Sequence, residues 1–157
     1  MARLYPKLDE TQRVIKAREI YFESVCQYVA QNPRLRNETI IKYFQTLKQK
    51  YRLALITTNT QSALKRILQA SNLQDLFDIT QVSLPEERDD KRVVFARFIK
   101  QYGKPVIYVG GDRKDSYDYF RENNIHCLFA NLESEEEILG VESVHNLTEL
   151  KAKLSAL

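Results

Sequence analysis

The sequence predicts an α/β fold in which helices flank a Rossmann-like parallel sheet. Short, nearly continuous apolar runs alternate with longer stretches whose apolar residues recur at helical spacing. Breakers are few, with four glycines and four prolines in 157 residues. Strands that alternate with helices in this way lie parallel and are joined by right-handed crossovers. Runs that are apolar throughout are typical of strands covered by helices on both faces.

Four of the apolar runs are predicted strands. They are residues 52–58, 77–84, 105–109 and 125–130. Helical patterns follow the first three of them. These patterns run through Ala63–Leu68, Phe95–Tyr102 and Tyr119–Phe120, and the second is expected to stop at Gly103.

Capping patterns predict further helices at both ends of the chain. Asp9 with Gln12 forms a capping-box pattern, and the helix behind it is expected to end at Asn32-Pro33. A second helix begins near Asn37, so the first 50 residues are expected to form a helical hairpin. Two short helices are expected near the C-terminus, capped by Ser134 with Glu137 and by Asn146 with Glu149.

Composition and charge limit the classes of partner. The net charge is +3, but the cations alternate with acids at helical spacing, which is typical of a solvated helix face and makes nucleic acid an unlikely partner. Cys26 and Cys127 each lie in an apolar run and are expected to be buried thiols of a reducing compartment. No apolar segment approaches the roughly 18 residues of a membrane span, so we expect no membrane partner and a cytoplasmic location.

Polar residues follow three predicted strands at their carboxyl ends, where open parallel sheets bind ligands. Thr57-Thr58-Asn59 follows the first strand at the start of a helix, and backbone N–H groups with hydroxyls there form a phosphate cradle. Alternatively, Asn59 or Thr60 is an ordinary N-cap. Lys91 is placed at the start of the next helix, where a cation suits a bound anion, although a surface lysine is the commoner explanation.

Acidic residues follow the third strand after a pair of glycines. Asp112, Asp115 and Asp118 would repel one another unless a cation lay between them, and Mg²⁺ needs only one or two carboxylates because it retains bound water. The alternative is that Asp112 caps the next helix, while Asp115 and Asp118 favour its N-terminal dipole.

The order and spacing of these segments resemble the haloacid dehalogenase (HAD) superfamily of phosphohydrolases from about Asn37 to the C-terminus. The matching segments read NETIIKYFQTLKQKYRLALITTN, DDKRVVFARF, VIYVGGDRKDSYDYFRENNI and VHNLTELKAKL. The resemblance implies that Thr57 hydrogen-bonds a phosphoryl group and that Lys91 offsets its charge. It also implies that Asp112, with Asp115, binds Mg²⁺. Thr58 and Asn59 would then contact the phosphate of a small phosphorylated molecule, and all these residues would meet at one rim of the sheet.

The sequence departs from the family pattern in its first motif. Family members attack phosphorus with the first Asp of an Asp-x-Asp that follows an apolar strand, and this sequence contains no such strand and motif. The second acid of the last motif aligns with Ser116, which leaves Asp115 as a stand-in. We therefore expect a phosphatase-like hydrolase that is inactive or incomplete. The alternative is a non-catalytic α/β module that binds a protein or a nucleotide.

The missing strand has a structural consequence. In the family it lies between the strands that end at Thr57 and at Gly110, so those two strands either pair with each other or receive another segment; unsatisfied backbone groups would cost roughly 1–3 kcal/mol each. Residues 1–36 resemble the end of a family cap domain, and residues 37–157 the α/β domain. The simplest expectation is a chain that starts late, as a fragment, a truncated gene model or a degenerate paralogue. The open sheet centre also allows strand exchange in a homodimer.

Overall fold

A computed structural model describes residues 1–84, 87, 90–111, 114–132 and 134–157. The chain divides into two compact units, Met1–Pro85 and Glu86–Leu157, which we call unit 1 and unit 2. Each unit is described by itself. The division predicted at residue 36, between a helical extension and an α/β domain, stays a prediction.

Unit 1 contains three helices, a 3₁₀ turn and a two-stranded sheet. In chain order they are α1 (Glu10–Gln31), the 3₁₀ turn Pro33–Leu35, α2 (Glu38–Leu47), β1 (Ala54–Ile56), α3 (Gln61–Ala70) and β2 (Ile79–Gln81). Strands β1 and β2 are parallel, with Ala54 opposite Ile79 and Ile56 opposite Gln81. The predicted strands are therefore confirmed, although they are shorter than the apolar runs.

The helix boundaries of unit 1 follow from capping side chains. Asp9 accepts a hydrogen bond from the Gln12 N–H at 2.8 Å, and Gln12 Oε1 accepts one from the Asp9 N–H at 3.1 Å, which confirms the capping box. Asn37 caps α2 by accepting from the Ile40 N–H at 3.1 Å. Helix α1 packs mainly on α3 rather than on α2, so the expected helical hairpin is wrong.

Two polar side chains fix the start of β1 against the start of β2. Asp78 Oδ2 accepts a hydrogen bond from the Leu53 N–H at 2.8 Å, and Asp78 Oδ1 lies 3.1 Å from Lys48 Nζ. Lys48 also donates to the carbonyl oxygen of Asp75 at 2.7 Å. Asp78 therefore connects the backbone of one strand with the end of α2.

The described residues of unit 2 include three α-helices and a three-stranded parallel sheet in the order β3-β4-β5. In chain order the elements are α4 (Lys91–Tyr102), β3 (Ile107–Gly110), α5 (Lys114–Glu122), β4 (His126–Ala130), β5 (Glu142–Val144) and α6 (Leu147–Ser155). The central strand β4 is buried at Cys127, Leu128 and Phe129. Helix α4 ends at Gly103, as predicted, and Gly103 has φ +85°.

An aromatic cluster forms the core of unit 2. Phe120 is fully buried, and its ring centroid lies 4.4 Å from that of Phe95 and 4.3 Å from that of Tyr108. Tyr117 is also fully buried and lies edge-on to Tyr108, with 5.5 Å between centroids. These contacts hold α4 and α5 together on the sheet.

Two expectations about this part of the chain are wrong. No helix begins at Ser134; instead, Ser134 Oγ accepts hydrogen bonds from Asn131 Nδ2 at 2.6 Å and from the Glu136 N–H at 3.3 Å. A short strand, β5, follows where the sequence suggested none, because only one of its three residues, Val144, is apolar and buried. The expected cap at Asn146 is confirmed, since its side chain accepts from the Glu149 N–H at 3.0 Å.

The strands that end at Thr57 and at Gly110 belong to different sheets. Among the described strands, β1 has β2 as its neighbour and β3 has β4 as its neighbour. The sequence left open whether these two strands pair with each other or receive another segment, and both alternatives stay predictions.

Two further expectations concern the thiols and the membrane. Cys26 and Cys127 are both free and buried, as predicted, and burial raises the pKa of the Cys127 thiol. In the part of the chain that the structure describes, no helix combines the length and the apolar character needed to cross a bilayer.

Candidate functional site

Thr57 lies directly after β1 and connects the ends of the two strands of unit 1. Its N–H donates to the carbonyl oxygen of Gln81 at 2.9 Å, and its Oγ1 accepts a hydrogen bond from the Asn59 N–H at 3.2 Å. The carbonyl oxygen of Asn59 in turn accepts from the Ser83 N–H at 3.3 Å. A hydroxyl can donate once and accept twice. The Asn59 contact uses one acceptor position of Thr57, so its O–H remains able to donate to a ligand oxygen.

Helix α3 begins immediately after this loop. Thr60 is its N-cap and accepts from the Ala63 N–H at 3.3 Å, which decides between the two N-cap residues left open by the sequence. The N–H groups of Gln61 and Ser62 lie in the first helical turn, where a helix supplies no backbone acceptors. Such groups and the positive end of the helix dipole favour an anion. The start of α3 therefore offers donors suited to an anion, and phosphoryl binding by the loop Thr57–Asn59 stays a prediction.

Thr58 and Asn59 are half-buried and lie between Thr57 and the cap of α3. The hydroxyl of Thr58 makes no hydrogen bond with any residue that the structure describes. Asn59 is held through both its N–H and its carbonyl oxygen. Their predicted roles in binding phosphate stay predictions, although the loop that carries them has a fixed backbone.

Gln81 was not singled out by the sequence pattern. It is the last residue of β2, its side chain is only 4% exposed, and its Nε2 has no hydrogen-bond partner among the described residues. A buried polar group without a partner is unusual in a folded protein. The signal in the sequence was a glutamine inside the apolar run 77–84, which is a weak signal taken alone.

Lys91 is the first residue of α4 in unit 2. Asp90 caps this helix by accepting from the Arg92 N–H at 2.9 Å. The segment before it is joined to α4 by a bidentate ion pair, in which Arg97 Nε and Nη2 each lie 2.8 Å from a carboxylate oxygen of Glu87. These contacts fix the backbone of the helix start that carries Lys91, which is half-buried.

The two predicted metal ligands differ in what the structure describes of them. Asp115 is half-buried in the first turn of that helix, whereas Asp112 lies outside the described residues. No cluster of three or more His, Cys, Asp or Glu residues suited to a metal occurs in the described ranges. Mg²⁺ requires few protein ligands, so one carboxylate at Asp115 is compatible with it. The magnesium site stays a prediction.

Two other polar residues of α5, Ser116 and Asp118, also belong to the segment with the predicted metal ligands. Asp118 forms a surface ion pair with Arg121 at 2.7 Å, which favours the structural explanation of this acid. Ser116, which aligns with a metal-binding acid of the family, is fully buried, and its Oγ has no partner among the described residues. An ionised carboxylate at such a position would carry a large desolvation cost.

Gly110, which ends β3, and Gly111, which follows it, both have close neighbours. A Cβ on Gly110 would lie 2.5 Å from the Tyr108 hydroxyl oxygen, and one on Gly111 would lie 3.0 Å from the carbonyl oxygen of Ala130. Positive φ angles occur at Gly103 and Gly140 but not at this pair. Close approach of neighbouring atoms, rather than a positive φ, therefore favours glycine at these two positions.

The structure thus places the predicted residues in two separate units. Thr57, Thr58 and Asn59 lie together at the carboxyl end of β1 in unit 1, and Lys91 and Asp115 lie in the first turns of α4 and α5 in unit 2. Their convergence on one pocket stays a prediction.

Comparisons with known proteins identify the fold. No protein-family model and no curated protein matches the sequence. A solved haloacid dehalogenase-like family hydrolase from Streptococcus pneumoniae superposes on the chain with a TM-score of 0.67 at 18% identity, over 96% of this chain and 74% of that one. A HAD phosphatase from Thermococcus onnurineus gives a TM-score of 0.60 at 19% identity, over 82% of this chain and 63% of that one.

A third solved structure is also similar to the chain. The HAD-hydrolase YfnB from Bacillus subtilis, solved bound to magnesium, gives a TM-score of 0.57 at 14% identity, over 73% of this chain and 52% of that one. The chain therefore spans between about half and three quarters of these proteins' lengths. Together these likenesses show that the chain has the fold of the HAD-like hydrolases, which confirms the fold class expected from the sequence.

Proposed function

We propose that this protein is a phosphatase-like HAD-fold protein that binds the phosphate group of a small phosphorylated molecule together with Mg²⁺. The observation that carries the proposal is the loop after β1. There Thr57 Oγ1 is oriented by the Asn59 N–H at 3.2 Å, shortly before the first-turn N–H groups of Gln61 and Ser62 in α3. The same arrangement of hydroxyl and helix start is expected for a residue that hydrogen-bonds a phosphoryl oxygen.

The other proposed residues act through charge. Lys91 would offset the negative charge of the phosphoryl oxygens, and Asp115, with Asp112, would hold Mg²⁺. When bound, Mg²⁺ supplies positive charge beside the phosphoryl group. Positioning and charge stabilisation of this kind account for most of the protein's part in phosphoryl transfer.

We further propose that the chain binds phosphate esters without hydrolysing them. No Asp-x-Asp occurs anywhere in the sequence, so the family's usual nucleophile is absent from it. With p-nitrophenyl phosphate and Mg²⁺ we expect no turnover above the buffer rate. Robust turnover that is lost in Asp112→Ala would contradict this part of the proposal.

Calorimetry with inorganic phosphate and Mg²⁺ tests binding. We expect Thr57→Val to weaken binding by about 1.5–3 kcal/mol, roughly tenfold to a hundredfold in Kd, because a hydrogen bond to a charged group is lost. Thr46→Val is the matched control, since Thr46 is exposed and its hydroxyl donates to the carbonyl oxygen of Tyr43 within its own helix at 2.7 Å.

A second pair of variants tests the cation. Lys91→Ala is expected to abolish measurable phosphate binding, whereas Lys100→Ala, which removes a lysine from the last turn of the same helix, is expected to leave it unchanged. No heat of binding for the wild-type protein at millimolar phosphate would contradict the proposal and favour a non-catalytic module that binds a protein or a nucleotide.

A further inference from the structure

His145 directly follows β5 in unit 2, and its imidazole ring lies between a carbonyl oxygen and a carboxylate. Its Nδ1 lies 2.9 Å from the carbonyl oxygen of Ser134, and its Nε2 lies 3.8 Å from Oε1 of Glu137. A carbonyl oxygen and an ionised carboxylate only accept hydrogen bonds. A neutral imidazole has one N–H donor, whereas an imidazolium has two. The protonated ring is therefore the form that directs an N–H toward both groups.

Acidic side chains from two parts of unit 2 act on this ring. Glu135 and Glu137 belong to the connection between β4 and β5, and Glu149 belongs to α6, where its Oε2 also accepts from the His145 N–H at 2.8 Å. The hydrogen bond to Ser134 is the main cause that raises the pKa of His145, and the three glutamates raise this pKa further against an opposing effect of burial. The ring therefore stays protonated to a higher pH than an ordinary histidine does.

The ring connects residues 134–137 with the rest of unit 2. The hydroxyl of Ser134 accepts from Asn131 Nδ2 and from the Glu136 N–H, so these bonds stay within residues 131–137. In the described part of the chain, every hydrogen bond or ion pair from residues 134–137 to a residue outside 131–137 ends at His145. Three of these four residues are glutamates, whose like charges repel one another. Deprotonation of His145 therefore removes the positive charge that holds an acidic segment.

We propose that His145 is a pH-sensitive latch, which holds residues 134–137 at the carboxyl end of β5 when its ring is protonated and releases them when the ring is neutral. The latch lies at the carboxyl edge of the sheet of unit 2, because the Asn131 N–H, directly after β4, donates to the carbonyl oxygen of Val144 at 3.1 Å. Open parallel sheets bind ligands at this edge. The latch therefore controls how firmly three carboxylates are held beside the ligand-binding edge of the sheet.

Nuclear magnetic resonance of the wild-type protein from about pH 5.5 to about pH 9 tests the latch. We expect the backbone amide shifts of residues 134–137 to change with the same midpoint as the His145 ring, above the ordinary histidine value of about 6.5. Their heteronuclear ¹⁵N NOE values should fall as the pH rises through that midpoint, because the released segment moves faster. NOE values that stay constant while the ring titrates would overturn the proposal, as would a ring midpoint at or below the ordinary value.

Two variants separate the latch from a general effect of pH. His145→Gln keeps a side-chain N–H donor but removes the charge, so residues 134–137 should already show the low NOE values of the released segment at about pH 6 and should no longer respond to pH. His126→Gln changes the other histidine of the chain, which lies 3.2 Å from Glu142 at the start of β4, and should leave the response of residues 134–137 unchanged. Circular dichroism reports whether each variant is folded. A wild-type response in folded His145→Gln protein, or an equal loss of the response in His126→Gln, would overturn the proposal.

Discussion

Strands β4 and β1 belong to the two units and differ in how far their apolar side chains are covered. In unit 2, β4 has a neighbour on each side, and Cys127, Leu128 and Phe129 are at most 6% exposed. In unit 1, β1 has one described neighbour, and its residues are exposed or half-buried. Both strands were predicted from apolar runs of similar character. An apolar run therefore predicts a strand suited to the interior of a sheet, but not whether the chain supplies its neighbours.

The largest effect is expected from truncating the core of unit 2. Phe120→Ala should lower the free energy of unfolding by about 3–5 kcal/mol, because the ring is fully buried against Phe95 and Tyr108. Phe22→Ala, a half-buried ring on α1 of unit 1, is the matched comparison and should cost about half as much or less. Urea unfolding followed by circular dichroism measures both. Equal costs would show that the two units are covered equally well.

An intermediate effect is expected at the start of the sheet of unit 1. Asp78→Ala should lower the urea midpoint by less than Phe120→Ala, because it removes an exposed carboxylate that accepts from the Leu53 N–H and pairs with Lys48. Thr80→Ala, a neighbouring exposed strand position, is its control. An unchanged midpoint in Asp78→Ala would mean that the backbone ladder alone fixes this sheet.

The same carboxylate predicts a pH dependence. The hydrogen bond from the Leu53 N–H, followed by the one from Lys48, lowers the pKa of Asp78 below its ordinary value. A lowered folded-state pKa contributes stability that is present above the ordinary value near 4 and is lost as the pH falls through the folded value. Urea midpoints between pH 5 and pH 2.5 should therefore fall less steeply in Asp78→Asn than in the wild type. Equal pH dependence of the urea midpoints in the wild type and in Asp78→Asn would show that Asp78 is not a source of the loss of stability at low pH.

The smallest effect is expected from a histidine of unit 2. The hydrogen bond between His145 Nδ1 and the carbonyl oxygen of Ser134, at 2.9 Å, is the main cause that raises the pKa of His145, and nearby glutamates add to it. A raised folded-state pKa contributes stability that is complete below the ordinary value near 6.5 and is lost as the pH rises through the folded value. His145→Gln should flatten the fall in stability between pH 6 and pH 8.5, as measured by thermal unfolding. The same fall in stability in His145→Gln and in the wild type would exclude His145 as the source of that fall.

The parts of the fold that were predictable from sequence are those with local causes. The caps at Asp9, Asn37 and Asn146 and the stop at Gly103 depend on side chains within four residues, and all four are confirmed. Strand β5 was missed because a single apolar residue fixes it, through packing distant in sequence. The packing of α1 on α3 was missed because it also depends on contacts between residues that lie far apart in the sequence.

The features of the candidate site likewise divide into those that the sequence predicted and those that it did not. The loop after β1 was predictable, because a threonine at the end of an apolar strand and the start of a helix are both visible in the sequence. The burial of Gln81 and Ser116 was not, since it depends on which face of an element is covered. The space that Gly110 leaves for the Tyr108 hydroxyl was likewise a property of packing rather than of the turn.

Amide chemical shifts of the ¹⁵N-labelled protein during a titration with inorganic phosphate and Mg²⁺ test the central claim most directly. We predict saturable shifts at Thr58, Asn59, Gln61 and Ser62, the backbone N–H groups between Thr57 and the first turn of α3. The phosphate concentration at the midpoint of these shifts should rise roughly tenfold to a hundredfold in Thr57→Val and stay unchanged in Thr46→Val. A titration that leaves these four amides unmoved, while the protein remains folded, would contradict phosphate binding at this loop.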